Sequence, residues 1–398
     1  MTQLAEYYRR KGFFPSFRNL LTEDDLSRHC AARAALLQEH LKLPRAFFRD
    51  ARIGEFGPDT GENALAFAKW GADVTLVEPN EAAHDAIRSY FRRFDLEDRL
   101  SGVFCDTLEK FEGGPFDLVN AEGFIATVSP PERWLDAMRR LTAADGCFHI
   151  SYFEARGALI ELLTNAAIHA DAALNGGGAM GAAQRLMARK WRAAAHSRPL
   201  DAWVRDHLES PAARLGAMLR AEDVVRMGLD AGFRLHASAP GYADPLQTAW
   251  PKMLTPPEDV IRASKDHIAR SALSFVMGAK AYWTGAACGA ARLCGAIDRA
   301  CVAADRVAIR DCADPSEFEA LAAALDALAA FVRENAHSFL SDGGIKSGEA
   351  LICGAARAFR AARGGDGSAL QDFCNDNDAF VAHWGTPVHH IVFRKAAP

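Results

Sequence analysis

Three acidic residues, Glu55, Glu78 and Asp106, close successive short apolar runs at 51–56, 73–78 and 102–106. The first run is followed by Gly57-Pro58-Asp59-Thr60-Gly61, where glycine lets the backbone turn sharply and lets a ligand approach where a Cβ would intrude. Glu78 follows Glu55 by 23 residues, a spacing that suits a carboxylate bonding the two hydroxyls of a ribose laid across strand ends. An adenosine-containing ligand is therefore expected. Its identity follows from charge. Acids at Glu55, Asp59 and Glu62 would repel a pyrophosphate, whereas they suit a sulfonium that also carries an ammonium group. S-adenosylmethionine fits this loop better than NAD, and an NAD-dependent oxidoreductase is the alternative.

The elements that must hold these residues alternate in the manner of βαβ units. Five apolar runs, at 51–56, 73–78, 102–106, 116–121 and 147–152, are separated by helical spacing at 63–70, 81–94 and 131–141. In the last of these, Trp134, Leu135, Met138 and Leu141 share one face, as packing on a sheet requires. This is a doubly wound, open α/β core. After Tyr152 the alternation gives way to a mostly helical stretch, broken at Asn175-Gly176-Gly177-Gly178 and ending in a helix at 221–229 and a short strand at 232–236. A Pro-rich passage at 251–257 leads into an Ala-rich helical region, and the β-rich tail at 388–394 is expected to return as a final strand.

At this point the segment from Arg52 to Asn80 resembles the class I S-adenosylmethionine-dependent methyltransferase superfamily. The first family motif, an acid followed by three alternating glycines, maps onto Glu55, Gly57 and Gly61, with Asp59 where the middle glycine usually stands. Glu78 matches the acid that ends the second strand, and Asp106, followed by Thr107, matches the acid that binds the adenine amino group. The fourth-strand pattern is similar to Phe116-Asp117-Leu118-Val119-Asn120-Ala121-Glu122-Gly123, and the fifth to Asp145-Gly146-Cys147-Phe148-His149-Ile150. The resemblance covers residues 45–155, and more weakly 221–237 and 388–395 as sixth and seventh strands. It implies a Rossmann-like core with a seven-stranded sheet, an N-terminal helical lid and large helical insertions. It also implies S-adenosylmethionine at Glu55, Gly57, Asp59, Gly61, Glu78, Asp106, Thr107, Ala121 and Glu122. The corresponding divisions are a lid at 1–45, a cofactor-binding core at 46–155, an insertion at 156–220, the sixth-strand region at 221–255, a helical subdomain at 256–385 and the last strand at 386–398. Asp117 is expected only to orient a neighbouring turn.

Methyl transfer asks chiefly for positioning, with a base only where the acceptor is a hydroxyl or a protonated amine, and it demands no metal. His149, Tyr152 and Glu154 near the end of the fifth strand, and the polar segment from His196 to His207, are the acceptor-side candidates; Tyr152, His196, Asp206 and His207 are the ones expected to act. His389 and His390 open a strand, so their rings should point to opposite faces and not share a metal. The aromatic and cationic run from Tyr7 to Phe17 resembles a cofactor lid; a helix packed by its aromatic face on the core is the other reading.

With 46 Lys plus Arg against 51 Asp plus Glu in 398 residues, the net charge of −5 argues against nucleic acid as acceptor. No segment reads as membrane-spanning or as strongly basic and amphipathic, so a membrane partner is not expected. The first residues lack the apolar stretch of a signal peptide, and nine scattered cysteines without a CxxC pair read as reduced thiols of a cytoplasmic protein. The expected partner is a small or medium polar acceptor, one containing a sugar among the candidates. The Ala-rich helical region would wall its pocket, form a homodimer, or serve a protein acceptor. A scaffold that binds the cofactor without turnover is a further alternative.

Overall fold

The structure, a computed structural model, describes residues 3–12, 20–193, 199–243, 256–309 and 314–395. His196, residues 13–17 of the aromatic run and most of the Pro-rich passage lie outside them. The strands are β1 (Arg52–Phe56), β2 (Asp73–Val77), β3 (Leu100–Phe104), β4 (Phe116–Glu122), β5 (Thr142–Phe153), β6 (Phe233–Ala239), β7 (Ala281–Trp283), β8 (Phe339–Ser341) and β9 (Val388–Lys395). Seven of them form one sheet in the order β3-β2-β1-β4-β5-β9-β6. The pairs from β3 through β5 are parallel, and β6 pairs antiparallel with β9. The tail does return as a core strand, inserted between the fifth and the sixth.

Central strands of a parallel sheet are covered on both faces, which is why β1 and β4 are almost wholly buried. The helix Pro131–Leu141 buries Trp134, Leu135, Met138 and Leu141, as its spacing predicts. Helix Glu62–Lys69 buries Ala64 to Ala68 and joins Ile53, Val74 and Leu118 in one core cluster. The same cluster takes in Leu26 and Leu37 from the segment before β1. That segment begins with a capping box: the Thr22 hydroxyl accepts from the Asp25 amide while the Asp25 carboxylate accepts from the Thr22 amide, and the helix Glu23–Ala34 follows. Leu4 and Tyr7 of the first helix, Gln3–Lys11, are buried as well. The strand order reverses between β1 and β4, and the crevice outside the carboxyl ends of strands at such a reversal is where open α/β sheets bind ligands.

The chain divides into two compact units. Residues 1–152, 221–261 and 389–398 make the sheet unit, and residues 153–220 and 262–388 make a helical one. The two helical stretches that interrupt the sheet thus belong to a single unit. At its centre the helix Leu159–Asn175 is buried from Leu159 through Ile168, which a surface helix with one apolar stripe would not be. Helices Ala287–Ile309, Pro315–Glu334 and Gly344–Arg363 supply most of the remaining core, rich in Ala, Leu and Ile.

Lys190, fully buried on the helix Gly178–Ala193, donates to the carbonyls of Phe380 and His383, its ammonium 4.2 Å from the ring centre of Phe380 and 4.3 Å from that of Trp384. Replacing it by methionine keeps the volume but abandons both carbonyls. Lys190→Met should therefore lower the stability of the helical unit by on the order of 3 kcal/mol. An unchanged urea midpoint would show that the carbonyls do not depend on it.

Candidate active site

The turn after β1 is built from alternating left-handed residues: Gly57 (φ +64°), Asp59 (φ +53°) and Gly61 (φ +88°). A Cβ at Gly57 would come within 3.1 Å of the Phe124 ring, and one at Gly61 within 3.2 Å of Ile87. Asp59 adopts a conformation that glycine enters most freely, and a short polar side chain tolerates this left-handed region better than most. Gly61 is the residue from which the helix Glu62–Lys69 starts.

Glu78 lies just beyond β2, beside this turn. Its carboxylate accepts from the backbone amides of Asn80 (2.8 Å) and Asp59 (3.2 Å), so the turn and the strand end are locked together. Burial raises its pKa to about 7 against the pull of those two amides. His84 Nε2 lies 2.8 Å from the Glu78 carbonyl, a buried contact that spacing alone does not reveal. Asp106 and Thr107 follow β3, half-buried, with the Thr107 amide donating to the Asp106 carboxylate (2.7 Å). Ala121 is buried in β4, in register with Phe56. Asp117 accepts from the Arg52 amide (2.8 Å), an orienting contact at the start of β1.

A line of polar side chains crosses the middle of the sheet. Glu55 on β1, Asn120 on β4 and His149 on β5 are register partners, and His390 on β9 continues the line. The Asn120 amide nitrogen donates to Glu55 Oε1 (3.1 Å) and to Glu122 Oε1 (3.0 Å), and its oxygen lies 2.6 Å from His149 Nδ1. His149 Nε2 is 3.1 Å from His390 Nδ1. Glu122 takes a two-pronged bond from Arg33 of the helix Glu23–Ala34, at 3.0 and 2.7 Å, and the guanidinium lies 5.7 Å from the centre of the Phe67 ring.

The charges in this line are set by neighbours. Burial opposes ionisation of Glu122, but the Arg33 guanidinium and the nearby His149 hold its carboxyl far below the usual range. Burial, and then the negative charge of Glu122, push Glu55 up to about 8. Two carboxyl groups joined through one amide thus differ at neutral pH: Glu122 is ionised and Glu55 keeps its proton. Burial also lowers His149 to about 3 and His390 to about 4, against the attraction of Glu122, so both rings are neutral at pH 7.

Glu122, His149 and His390 each offer an atom that could ligate a metal, all within 4.8 Å. The ring planes of the two histidines differ by 22° and the ring centres lie 5.3 Å apart, close to their N···N separation plus two ring radii. The nitrogens therefore face each other along one line, as in a hydrogen bond, whereas two ligands of one ion aim at a third point.

The other acceptor-side candidates lie elsewhere. Tyr152, 1% exposed, is on the face of β5 opposite His149, and its hydroxyl is 2.5 Å from that of Tyr242, which is 2.6 Å from His389 Nδ1. His389 and His390 have separate partners, as alternation along a strand requires. Asp206 and His207 belong to the helical unit. There the His207 ring stacks on Trp203, with Nδ1 3.5 Å from Glu161 and Nε2 3.7 Å from Asp206. Glu154, also in that unit, is fully buried and accepts from the Gly157 amide (2.6 Å). Arg33 and Asn120 were not singled out by spacing; the signal available for Asn120 is an amide inside an otherwise apolar strand.

A family profile described as a methyltransferase domain matches residues 28–238, just over half of the chain. The chain belongs to this family, within the class I S-adenosylmethionine-dependent methyltransferases, and S-adenosylmethionine is its cofactor. Curated proteins show no match. Solved structures similar to it include the [4+2]-cyclase SpnF, 20% identical over 30% of this chain and 43% of that one, with a TM-score of 0.27. They also include the CcbJ methyltransferase of Streptomyces caelestis, at 20%, 32%, 50% and 0.27, and the glycopeptide N-methyltransferase MtfA with bound S-adenosylmethionine, at 21%, 27%, 46% and 0.25, in the same order. The alignments span half or less of each of these three chains. No helix among the described residues is long and apolar enough to cross a membrane.

The residues present fit the cofactor. The left-handed turn leaves the main chain open where side chains would intrude, and Glu55 Oε2 is buried with no hydrogen-bond partner, an oxygen that accepts from an ammonium group once the carboxyl gives up its proton. Glu78 and Asp106, the residues expected at the ribose and the adenine, stand just beyond the ends of β2 and β3. Removing the carboxylate in Glu78→Ala should weaken S-adenosylmethionine binding by about 1.5–3 kcal/mol per charge-assisted bond lost, read by calorimetry. Unchanged affinity would refute the ribose role.

A pH dependence follows from Glu55 and Glu78. Unfolded, each releases its proton near 4.5; folded, they do so only near 8 and 7. Between those values unfolding releases protons, so the cofactor-free protein should lose stability as pH rises from about 5 to about 8. A cationic ligand favours the ionised carboxylates, so affinity for S-adenosylmethionine should rise over the same interval, and Glu55→Gln should flatten the rise. Thermal melts and calorimetry across that range check both trends, and a wild-type affinity that falls with pH contradicts them.

Proposed function

We propose that the chain transfers a methyl group from S-adenosylmethionine to a small or medium polar acceptor bearing hydroxyl or amino groups, a sugar-containing metabolite among them. The observation that carries the reading is the strand-end arrangement: the left-handed turn of Gly57, Asp59 and Gly61 tied through the Asp59 amide to the Glu78 carboxylate. S-adenosylmethionine supplies a methyl carbon on a sulfonium that a nucleophile displaces in line. The chain's part is to orient the reactants and exclude water. Of the polar line Asn120, Glu122, His149 and His390, the first three are satisfied by one another and by Arg33, whereas the His390 side chain is partly exposed and has one ring nitrogen left over from the line, which a polar acceptor can bond and an apolar one cannot. The net charge of −5 favours a small acceptor over a nucleic acid.

The test is incubation with methyl-labelled S-adenosylmethionine and a metabolite extract, followed by mass analysis for species that gain one methyl group. Label in a low-mass polar species is expected. Label confined to protein or nucleic acid would overturn the acceptor class, and binding of the cofactor with no label passed to anything would make the chain a scaffold.

A further inference from the structure

The hydrogen-bond line fixes where protons sit. Glu122 is ionised against Arg33 and can only accept, so the Asn120 group 3.0 Å from it is the NH2 and not the oxygen. The Asn120 oxygen then faces His149 Nδ1, which must carry a hydrogen to donate across 2.6 Å. A neutral imidazole holds one N–H, so His149 Nε2 is a bare acceptor, and His390 Nδ1, facing it at 3.1 Å, must be the donor. That leaves the lone pair of His390 on Nε2. Of the two rings, His149 is fully buried, while 16% of the His390 side chain is exposed.

We propose that His390 is the base that takes the acceptor's proton in methyl transfer, through Nε2, and that His149 and Asn120 are positioning residues that set its tautomer. The proposal rests on the methyl-transfer reading above. The proton passes from the acceptor O–H or N–H to His390 Nε2. The acceptor atom's pair forms the bond to the methyl carbon, and the carbon–sulfur bond breaks with its pair remaining on sulfur. The imidazolium so formed keeps its Nδ1–H on His149 and gains the Glu122 carboxylate, whose Oε2 is 3.9 Å from Nδ1. The charged and titratable groups facing His390 are Glu122 from β4, His149 from β5 and Arg33 from the helix Glu23–Ala34. Arg33 opposes protonation and Glu122 favours it. Burial lowers the pKa of His390 to about 4, which keeps the ring neutral and able to accept at pH 7.

Two readouts test this. The first needs no turnover: nitrogen–proton correlation spectra of the histidine-labelled, cofactor-free protein at neutral pH, assigned with His149→Gln and His390→Gln. Both rings are expected neutral with the proton on Nδ1. A His390 protonated on Nε2, or a stoichiometric divalent metal that is retained on purification and lost in His149→Gln, would overturn the proposal. The second uses the acceptor found in the extract experiment. His390→Gln should lower kcat by about 10²-fold or more, abolish the acid limb of the pH–rate profile and leave cofactor affinity within about twofold, with added imidazole restoring part of the rate in His390→Ala. An unchanged kcat, or a loss matched by equal loss of cofactor binding, would overturn it. Nε2 protonation in an active enzyme would fault the base alone. Correct tautomers with no methyl transfer to any acceptor would fault the functional reading, and the base role with it.

Discussion

The side-chain amide of Asn120 is fully buried, and what it bonds to decides the state of the groups around it. Its two N–H groups go to the carboxyl groups of Glu55 and Glu122 and its oxygen to an imidazole, so turning it over would set an oxygen against the ionised Glu122 and an N–H against the N–H of His149. In a water-excluded site each such mismatch costs on the order of 1–3 kcal/mol, enough to hold one orientation. The proton on Glu55, the charge on Glu122 and the tautomer of His149 are therefore one coupled arrangement, and no member changes without its neighbours.

That arrangement needs a counter-charge, and it comes from outside the sheet. Without Arg33, two acids bridged by Asn120 would face each other under helices, and the second would be neutral as well. Arg33 stands near the end of a helix whose start is fixed by the Thr22–Asp25 capping box and whose Leu26 is held in the core. The segment before β1, expected from sequence as a lid, holds in the structure the guanidinium that keeps Glu122 ionised. The line starts at the β1–β4 pair, where the strand order reverses and open α/β sheets have their ligand crevice.

The sheet was largely readable in advance because parallel strands are short apolar runs with glycine and acids at their ends. All seven core strands were expected within a few residues of their observed bounds. The start of β5 was missed by five residues, at Thr142 instead of Cys147, since the extra length lies where the register against β4 shifts between Phe116 and Leu118 and the apolar pattern is broken by Asp145 and Gly146. The turn, Glu78 and Asp106 were readable for the same reason: they are local. The line from Glu55 to His390 was not, because it depends on strand order. His149 and His390 are 241 residues apart, and only the insertion of β9 beside β5 brings them together. Reading His390 against its neighbour His389 was sound, and the two do have different partners, but the ring that matters to it lies across the sheet. Likewise nothing in the spacing of the helices after Tyr152 shows that two stretches separated by a strand of the sheet belong to one unit.

Asp59 shows why the departure from an all-glycine turn is tolerated and what it does. The turn needs a left-handed residue there so that the Asp59 amide points to Glu78, and backbone, not side chain, makes that bond. Asparagine and aspartate are the non-glycine residues that enter this region most readily, so the fold accepts the substitution at a cost of about 1–2 kcal/mol or less. What changes is charge. A glycine at this position would add none; a carboxylate held half-buried between Gly57 and Gly61, with Glu62 close in sequence, disfavours an anion at the turn and favours a cation. The backbone thus sets the shape of the turn, and one side chain on it sets its charge.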